Sequence, residues 1–393
     1  MIQKPLNEIN IEDLNELVTN SVSEGRNLDY KRDLCGNSDG DKKEFLSDIS
    51  SFANATGGDL LFGVDEAEGA ASAIVGLKEL DADATILRLE SSIRDGIEPR
   101  IAGVQFRVVE SDKNGPVLIV RIPNSWASPH MVTFKGTSRF FSRGSAGKFQ
   151  MDVAEIRSAF DATGLLSRQI AEWRTDRIGK VISGDVPFDV YRDSGIVLHL
   201  VPMASFDQLA FSATDLSMRN HSFWPINTGG GGTRLNLDGF VSYSGNPDYD
   251  EPSSGYVQVF RSGAVEAVSG VLVSERDGER YIASIAYEKE IISSVEGYLR
   301  SMLKLGVVPP VLFLISLLGV KGSFMWVGRL GHSGHSAPKL FDRDTLVIPD
   351  IVIDDLDCNV SRTLRPAFDM IWNACGYERS FNYNEDGDWE PRR

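Results

Sequence analysis

The stretch that decides the fold of the first half of the chain is "FANATGGDLLFGVD", residues 52–65. Its first residues end an apolar stripe at helical spacing, and Gly57-Gly58 is a natural helix stop. "DLLFGV" is then typical of a short, largely apolar strand, with an acidic turn at 65–69 and another strand around Ile74. The stretch therefore predicts a helix followed by a strand, with Asp65 just past the carboxyl end of that strand.

The segment before this unit, "SVSEGRNLDYKRDL" at 21–34, mixes acids and bases. A short helix capped by Asn10 precedes it and ends near Asn20, and "RNLDYKR" predicts a strand. The acids Glu24 and Asp29 are five residues apart, which places them on opposite faces of a regular strand. They can meet only if Glu24 lies before the strand, in the loop that follows the first helix.

The elements downstream complete an α+β prediction. A helix at 82–97, a hairpin around "ESDKNG", two more short strands at 130–148 and a closing helix at 151–166 give a mixed-sheet domain. The second half begins with a polar helical segment, "SRQIAEWRTDRIGKV", and adds strands and two amphipathic helices. We predict an N-terminal helix at 1–20, a mixed-sheet domain at 21–165 and a second α/β domain at 166–393.

The bulk composition indicates a globular chain of two domains. The chain has 393 residues, is 42% hydrophobic and carries a net charge of -16, which argues against a protein that coats nucleic acid through a broad basic surface. Three widely spaced cysteines form no CxxC pair, and the start lacks the apolar core of a signal peptide. The longest apolar run, 307–320, is too short to span a bilayer and predicts a buried strand or strand pair. We expect a cytoplasmic location and no membrane partner.

Three pieces in order, "SEGRNLDYK", "FANATGGDLLFGVD" and "RFFSRGS" before a closing helix, resemble the Schlafen AlbA-type domain over about residues 21–165. In nuclease members of that family three acids cut structured RNA such as transfer RNA. The resemblance maps those acids onto Glu24, Asp29 and Asp65, with Asp29 standing where the family more often has Glu. Many other relatives are described only as nucleic-acid-binding or ATP-binding.

The residue types suit that chemistry. Three carboxylates that converge repel one another unless a cation lies between them, and hard oxygen ligands select Mg²⁺ or Mn²⁺. Lys31 is then a phosphate-binding point charge. The alternative is that Asp29 pairs with Lys31 or Arg26 at the surface, that Glu24 ends a helix and that Asp65 only forms a turn.

Further candidates lie in "SRFFSRGS" and around it. Arg139 and Arg143 flank two phenylalanines beside a glycine turn, which suits phosphate contact and base stacking. The alternative is a strand with packed phenylalanines and solvated arginines. Asn54 is expected to cap its helix or to bond across to a neighbouring strand, and His130 is an acid/base candidate that more often proves structural. No GxxxxGK[ST] phosphate loop occurs in the chain.

These patterns lead to one expected function and one alternative. We expect a metal-dependent endoribonuclease acting on structured, tRNA-like RNA, used in defence. The alternative is a non-catalytic module that binds nucleic acid or ATP and is regulated through a sensor or partner-binding second domain. That second domain is the candidate region for binding a protein partner or another copy of the chain.

Overall fold

The structure is a computed structural model that describes residues 1–2, 4, 6–78, 80–111, 114–125, 127–188, 190, 193–206, 211–216, 223–228, 231–245, 253–327 and 339–391. The chain divides into two compact units, Met1–Ile170 and Ala171–Arg393. Independent folding of two domains stays a prediction.

Helices recur along both units. Within the described ranges they are α1 (Ile11–Thr19), α2 (Asp39–Ala53), α3 (Ala82–Gly96), α4 (Val153–Ser183), α5 (Ala213–Leu216), α6 (Ser284–Lys304) and α7 (Val360–Ala374). The predicted cap of the first helix is confirmed, because the Asn10 side chain accepts from the amides of Glu12 and Asp13 while Asp13 accepts from the Asn10 amide. That reciprocal arrangement satisfies donors that the first helical turn leaves open.

The strands of the first unit form small sheets. They are β1 (Leu28–Lys31), β2 (Gly58–Phe62), β3 (Val64–Ala67), β4 (Ala70–Ile74), β5 (Ile97–Glu98), β6 (Gln105–Val109), β7 (Val117–Ile122), β8 (Met131–Val132), β9 (Arg139–Gly144) and β10 (Gly147–Gln150). One sheet has the order β1-β2-β7-β6, a second has the order β10-β9-β8-β5, and β3 pairs with β4. Because β1 and β2 are parallel while β2, β7 and β6 are antiparallel, the predicted mixed sheet is confirmed.

The first sheet separates two apolar clusters, and this fixes which side chains face the candidate site. Leu28 and Tyr30 lie on one face of β1 and pack in the cluster that includes Leu14 of α1. Asp29 pairs in register with Leu60, whose side chain belongs to the other cluster, on the side of α2. Since side chains alternate across a strand, Asp29 and Lys31 share that second face.

The structure corrects two local predictions in this unit. The acidic turn expected at 65–69 is mostly strand: β3 and β4 form a hairpin whose turn is confined to Glu68 and Gly69, both with positive φ. The helices predicted on either side of residue 166 are one helix, α4, and the boundary between the units lies within it. A lone Gly164 costs only about 1 kcal/mol in a helix, too little to end one whose neighbours are good helix formers.

The second unit is built on an antiparallel sheet. Its strands are β11 (Gly195–Pro202), β12 (Gly231–Leu235), β13 (Gly239–Ser244), β14 (Gly255–Phe260), β15 (Val265–Ser269), β16 (Val273–Arg276), β17 (Glu279–Ala283), β18 (Val311–Leu318), β19 (Phe324–Trp326), β20 (Leu346–Val347) and β21 (Ile351–Ile353). The large sheet runs β12-β13-β14-β15-β11-β18-β20, with β21 also on β18, and β16-β17-β19 form a smaller one. The apolar run at 307–320 supplies β18, a buried strand as predicted.

The chain as a whole is α+β, as the sequence predicted. Helices α6 and α7 cover one face of the large sheet, where the amphipathic pattern of both helices buries side chains such as Ile291 and Phe368 in a common core. Among the helices of the described residues, none combines the length and apolar character that a membrane crossing requires.

Candidate functional site

Glu24 lies in the loop before β1, as its convergence with Asp29 requires. Its amide donates to the Gly69 carbonyl at 2.7 Å, which ties the loop to the turn of the β3–β4 hairpin. Its Oε1 accepts from the Tyr30 amide at 2.8 Å, so the side chain turns back along the strand toward Asp29. Glu24 thus meets the condition that the period of a strand sets for its convergence with Asp29.

Asp29 is buried between two cations of its own chain. Its Oδ2 accepts from Nη1 of Arg143 at 2.6 Å, and its Oδ1 accepts from Nζ of Lys31 at 2.9 Å. The Arg143 side chain is only 2% exposed, and its guanidinium lies over the Phe52 ring at 4.2 Å. Asp29 is therefore neutralised from within the domain, through a charge-assisted pair and a cation–π contact.

The surroundings shift the pKa values of Glu24 and Asp29 in opposite directions. Burial, assisted by the nearby negative charge of Asp29, raises the pKa of Glu24 to about 7, against the bond from the Tyr30 amide. Burial acts to raise the pKa of Asp29 as well, but the charges of Arg143 and Lys31 outweigh it and hold that pKa below its usual value. Two acids whose surroundings separate their pKa values in this way are suited to acid–base chemistry near neutral pH.

A second ion pair, between Lys148 and Asp48, also influences Lys31. Lys148 of β10 contacts Asp48 of α2 at 2.8 Å, and Asp48 has a side chain only 4% exposed. Burial raises the pKa of Asp48 despite the Lys148 charge. Burial acts to lower the pKa of Lys31, but the charges of Asp48 and Asp29 raise it overall. Neither Asp48 nor Lys148 was predicted from the sequence. Their one local signal is an acid inside the apolar stripe of α2.

Asp65 does not share this cluster. It lies in β3 and forms an ion pair with Arg32, the residue that follows β1, and neither side chain is buried. Among the described residues, no three His, Cys, Asp or Glu side chains are arranged to hold a metal ion. Because both oxygens of Asp29 and the carboxylate of Asp65 are paired with cations, this arrangement does not fit a three-carboxylate ion site. The Mg²⁺ or Mn²⁺ implied by the resemblance stays a prediction.

The three basic residues predicted to bind nucleic acid differ in exposure. Arg139, at the start of β9, is exposed, and Lys31 is half-buried. Arg143 is turned inward onto Asp29, and Phe140 packs edge-on against Phe160 at 6.2 Å. Packed phenylalanines fit the alternative given for this strand, but the arginines are not both solvated. Nucleic-acid binding by these three residues stays a prediction.

Asn54 explains why the most specific stretch of the sequence matters for the site. Its Oδ1 accepts from the His130 amide at 2.6 Å, and its Nδ2 donates to the carbonyls of His130 and Phe141 at 2.9 and 2.8 Å. The predicted bond to a neighbouring strand is thus confirmed, since Phe141 lies in β9. By fixing β9, Asn54 helps to fix Arg143, two residues further on, against Asp29.

Gly57 and His130 contribute to the packing around the hydrogen bonds of Asn54. Gly57 has a φ of +71°, and a Cβ there would lie 2.5 Å from the Asn124 amide, so the loop admits only glycine without strain. The ring of His130 is buried between the Pro99 carbonyl at 2.6 Å and the Ser125 hydroxyl at 2.5 Å. Burial lowers its pKa, against the bond to Pro99. A neutral ring whose two nitrogens are both hydrogen-bonded has a structural role, which was the more frequent outcome expected for His130.

The second unit contains buried charge networks that the sequence did not reveal. Glu266 of β15 accepts two bonds from Arg177 at 2.7 and 2.8 Å, and further bonds from His199 and Tyr256. Burial acts to raise the pKa of Glu266, but Arg177 and His199 lower it to about 2. Glu288 of α6 is instead held by neutral donors such as the indole of Trp372 at 2.8 Å. The bonds of Glu288 are satisfied inside the core, which indicates a structural role, whereas in the Glu266 set the Nδ1 atom of His199 is buried without a hydrogen-bond partner among the described residues.

The comparisons with solved structures each cover little more than a third of the chain. No curated protein matches the sequence. Among solved structures, the DIP2311 protein from Corynebacterium diphtheriae is 20% identical over 37% of this chain, with a TM-score of 0.26, and the match spans 27% of its own length. The N-terminal domain of a DNA helicase RecG-related protein from Nitrosomonas europaea is 23% identical over 36% of this chain and 90% of its own, with a TM-score of 0.25.

The family comparison agrees with the order of motifs in the sequence. The model "Schlafen, AlbA_2" matches residues 24–152, from Glu24 through the last sheet of the first unit. This domain type indicates a function related to nucleic acid. Residues 24–152 therefore form a Schlafen AlbA_2 domain.

Proposed function

We propose that the Schlafen AlbA_2 domain binds structured RNA and cleaves it, with Glu24 as the proton-transferring residue. The observation that supports this most is the Glu24–Asp29 pair, in which one carboxyl titrates near pH 7 while its neighbour stays ionised. A group with a pKa near the working pH is an efficient general base, because it is partly ionised and still accepts a proton readily. Its position in a domain related to nucleic acid makes a phosphodiester the fitting substrate.

In this proposal each residue of the cluster has a defined task. Glu24 takes the proton of the oxygen that attacks the phosphorus atom, the bond from phosphorus to the leaving oxygen breaks, and that oxygen takes a proton from water. The Tyr30 amide holds the Glu24 carboxylate in place. Burial raises the pKa of Glu24, and Asp29, which stays ionised, adds to that rise through its negative charge. Lys31 and Arg143 hold Asp29 in the ionised state. The exposed Arg139 is the most accessible of the predicted phosphate contacts. A divalent cation and a role in defence belong to the proposal and await the same tests.

The experiment compares wild type with Glu24→Gln on total transfer RNA, in Mn²⁺, in Mg²⁺ and in EDTA. Glutamine keeps an oxygen that can accept from the Tyr30 amide but cannot take a proton near pH 7. Glu90→Gln, an exposed position on α3, makes the same change of charge elsewhere in the unit. We expect cleavage that falls at least about 100-fold in Glu24→Gln, the usual contribution of a general base, and is unchanged in Glu90→Gln. Equal cleavage by all three proteins would refute the role of Glu24.

A second candidate function is nucleic-acid or ATP binding without cleavage. It is favoured by the ion pairs of Asp29 and Asp65, whose oxygens are engaged by the protein's own cations. In this case transfer RNA or ATP binds with the same affinity to wild type and to Glu24→Gln, and no RNA is cut in any metal condition. The second unit is then proposed to sense a ligand or a protein partner. Deleting residues 171–393, the second unit, would test this once circular dichroism shows that Met1–Ile170 stays folded, because loss of regulation without loss of binding is expected.

A further inference from the structure

Two basic residues in succession lie at the end of β1 and contact acids on different sides of the strand. Lys31 is the last residue of β1 and bonds Asp29, which faces α2, while Arg32 forms an ion pair with Asp65 of β3. The side chains of Lys31 and Arg32 are 36% and 59% exposed. Both positive charges therefore reach solvent from the same end of one strand.

Glu24 is tied to both sides of that strand end. Its carboxylate accepts from the amide of Tyr30, the residue before Lys31. Its own amide donates to the carbonyl of Gly69, in the hairpin that contains Asp65. An RNA backbone that crosses the end of β1 therefore passes the carboxyl group of Glu24 while its phosphates meet the two basic side chains.

We infer that Arg32, together with the predicted Lys31, binds neighbouring phosphates of RNA directly, so that RNA binding needs no divalent cation. This inference deepens the proposed function and rests on it, because RNA is the ligand of that proposal. It follows from the charges at the predicted acids, since Asp29 and Asp65 are both paired with bases of the chain. The partly exposed members of those pairs are the groups that can contact a phosphate.

Arg32 keeps most of its donors for a phosphate. Its bond to Asp65 uses Nη1, and a guanidinium has five N–H groups in a planar fork that matches phosphate oxygens. Exposed ion pairs are weak, so a phosphate can join or replace Asp65 as the acceptor. The exposed Glu66 and Glu68 give the same hairpin a negative charge that repels RNA. Arg32 offsets that repulsion where the RNA passes.

The test measures the binding of a fluorescently labelled RNA hairpin to the full chain by anisotropy, in EDTA and in Mg²⁺, over a series of KCl concentrations. All proteins carry Glu24→Gln, and a gel verifies that the RNA is intact after each titration. The variants made in this background are Arg32→Gln, Arg32→Lys and Asp65→Asn. Arg94→Gln is the matched control, because Arg94 is 56% exposed and pairs with Asp95 on α3, within the same unit. Thermal unfolding verifies that each protein is folded.

We expect Arg32→Gln to weaken RNA binding at least about 3-fold at about 0.1 M KCl. The slope of log affinity against log salt should become shallower by about 0.7–0.9, because one phosphate contact no longer releases a counterion. Arg32→Lys should retain the slope and lose part of the affinity, since it keeps the charge without the fork. Asp65→Asn keeps an oxygen that can accept from Arg32 and removes a charge that repels RNA, so binding should be equal or tighter. Arg94→Gln should match the background, and binding should be no tighter in Mg²⁺ than in EDTA.

Several results would overturn the inference without touching the proposed function. They are equal affinity and equal salt slope in Arg32→Gln and its background, binding that requires Mg²⁺, and binding that is lost in Asp65→Asn, each found while cleavage by the otherwise unchanged chain still depends on Glu24. Conversely, if Glu24→Gln cuts RNA as fast as wild type while Arg32→Gln lowers both affinity and slope, the phosphate contact stands and the role of Glu24 fails. A chain that binds no RNA in any condition overturns both.

Discussion

Replacing Arg143 by methionine is expected to destabilise the first unit through Asp29. The change removes the guanidinium that lies 2.6 Å from Asp29, where both side chains are nearly excluded from water at 2% and 6% exposure. Methionine keeps an apolar contact with the face of Phe52, so the loss is mainly electrostatic. The pKa of Asp29 should rise, because burial favours the neutral acid and Arg143 is the main charge opposing it.

The expected loss is about 3 kcal/mol in the free energy of unfolding. Removing one partner of a buried ion pair costs about 3–5 kcal/mol, because an unpaired charge is left in the interior. The lower end applies here, since Asp29 keeps the half-exposed Lys31 at 2.9 Å. With a urea dependence of about 1–3 kcal/mol per molar, the midpoint of unfolding should fall by about 1–3 M.

The assay is urea unfolding monitored by hydrogen exchange and mass spectrometry. Peptides from β1 and β2 are measured, because they report on the first unit alone. Asp29→Asn and the double variant complete a thermodynamic cycle, and Arg139→Met, in the same strand but exposed, is the control. We expect Arg139→Met to change stability by less than about 0.5 kcal/mol. A loss below about 1 kcal/mol in Arg143→Met, or an equal loss in the Asp29→Asn background, would refute the assignment of Arg143 to Asp29.

Three further changes test the surroundings of the cluster. Asn54→Ala should lower the free energy of unfolding, measured by heat or urea, by about 2–4 kcal/mol, because backbone groups of His130 and of a neighbouring strand lose three hydrogen bonds from the Asn54 side chain. A loss below about 1 kcal/mol would contradict the role of Asn54 in fixing that strand. Gly57→Ala should destabilise by more than about 1 kcal/mol and clearly more than Gly69→Ala, since both have positive φ but only at Gly57 would a Cβ meet backbone atoms. Equal losses would show that strain rather than contact decides. The pKa of Glu24 in the folded state is raised to about 7. Protonated Glu24 therefore contributes fully to the free energy of unfolding below its ordinary pKa of 4.5, and this contribution is lost as pH rises through 7. The stability of wild type relative to Glu24→Gln should therefore fall between pH 5 and pH 8, by less than about 1.4 kcal/mol per pKa unit because the half-exposed side chain is screened by water. A pH-independent difference would exclude the raised pKa.

Local patterns were sufficient for the elements that frame the site. The cap at Asn10, the helix stop at Gly57 and the apolar strand after it are encoded within a few residues of where they act. The period of two in a strand set a condition, that Glu24 must lie in a loop to meet Asp29, and its position before β1 meets that condition. Chain order and periodicity were thus sufficient to predict the scaffold and to relate two of the three predicted acids, Glu24 and Asp29.

The partners of those acids could not be predicted in the same way. Arg143 is 114 residues from Asp29, and Lys148 is about as far from Asp48, so no local spacing relates them. In the sequence Arg143 has the appearance of a surface base beside a glycine turn, and its burial depends on Asn54 fixing β9. The long helix α4 was predicted as two helical segments on either side of residue 166, the predicted domain boundary, whereas it continues unbroken from Val153 to Ser183.

The charge pattern explains why Glu24 is the residue left free for chemistry. Asp29, Asp48 and Asp65 each form an ion pair with a lysine or arginine of the chain, and the two cations beside Asp29 hold its pKa below its usual value. In the part of the chain that the structure describes, Glu24 forms no such ion pair, and its Oε1 accepts from the Tyr30 amide. Its proton affinity is therefore set by burial and by the charge of Asp29. A carboxyl group placed in this way changes its protonation with little rearrangement of its neighbours, whereas protonating Asp29 would break two ion pairs. The same reasoning predicts that any ligand that withdraws Lys31 from Asp29, such as a phosphate, raises the pKa of Glu24 further, because the charge of Asp29 is then less compensated.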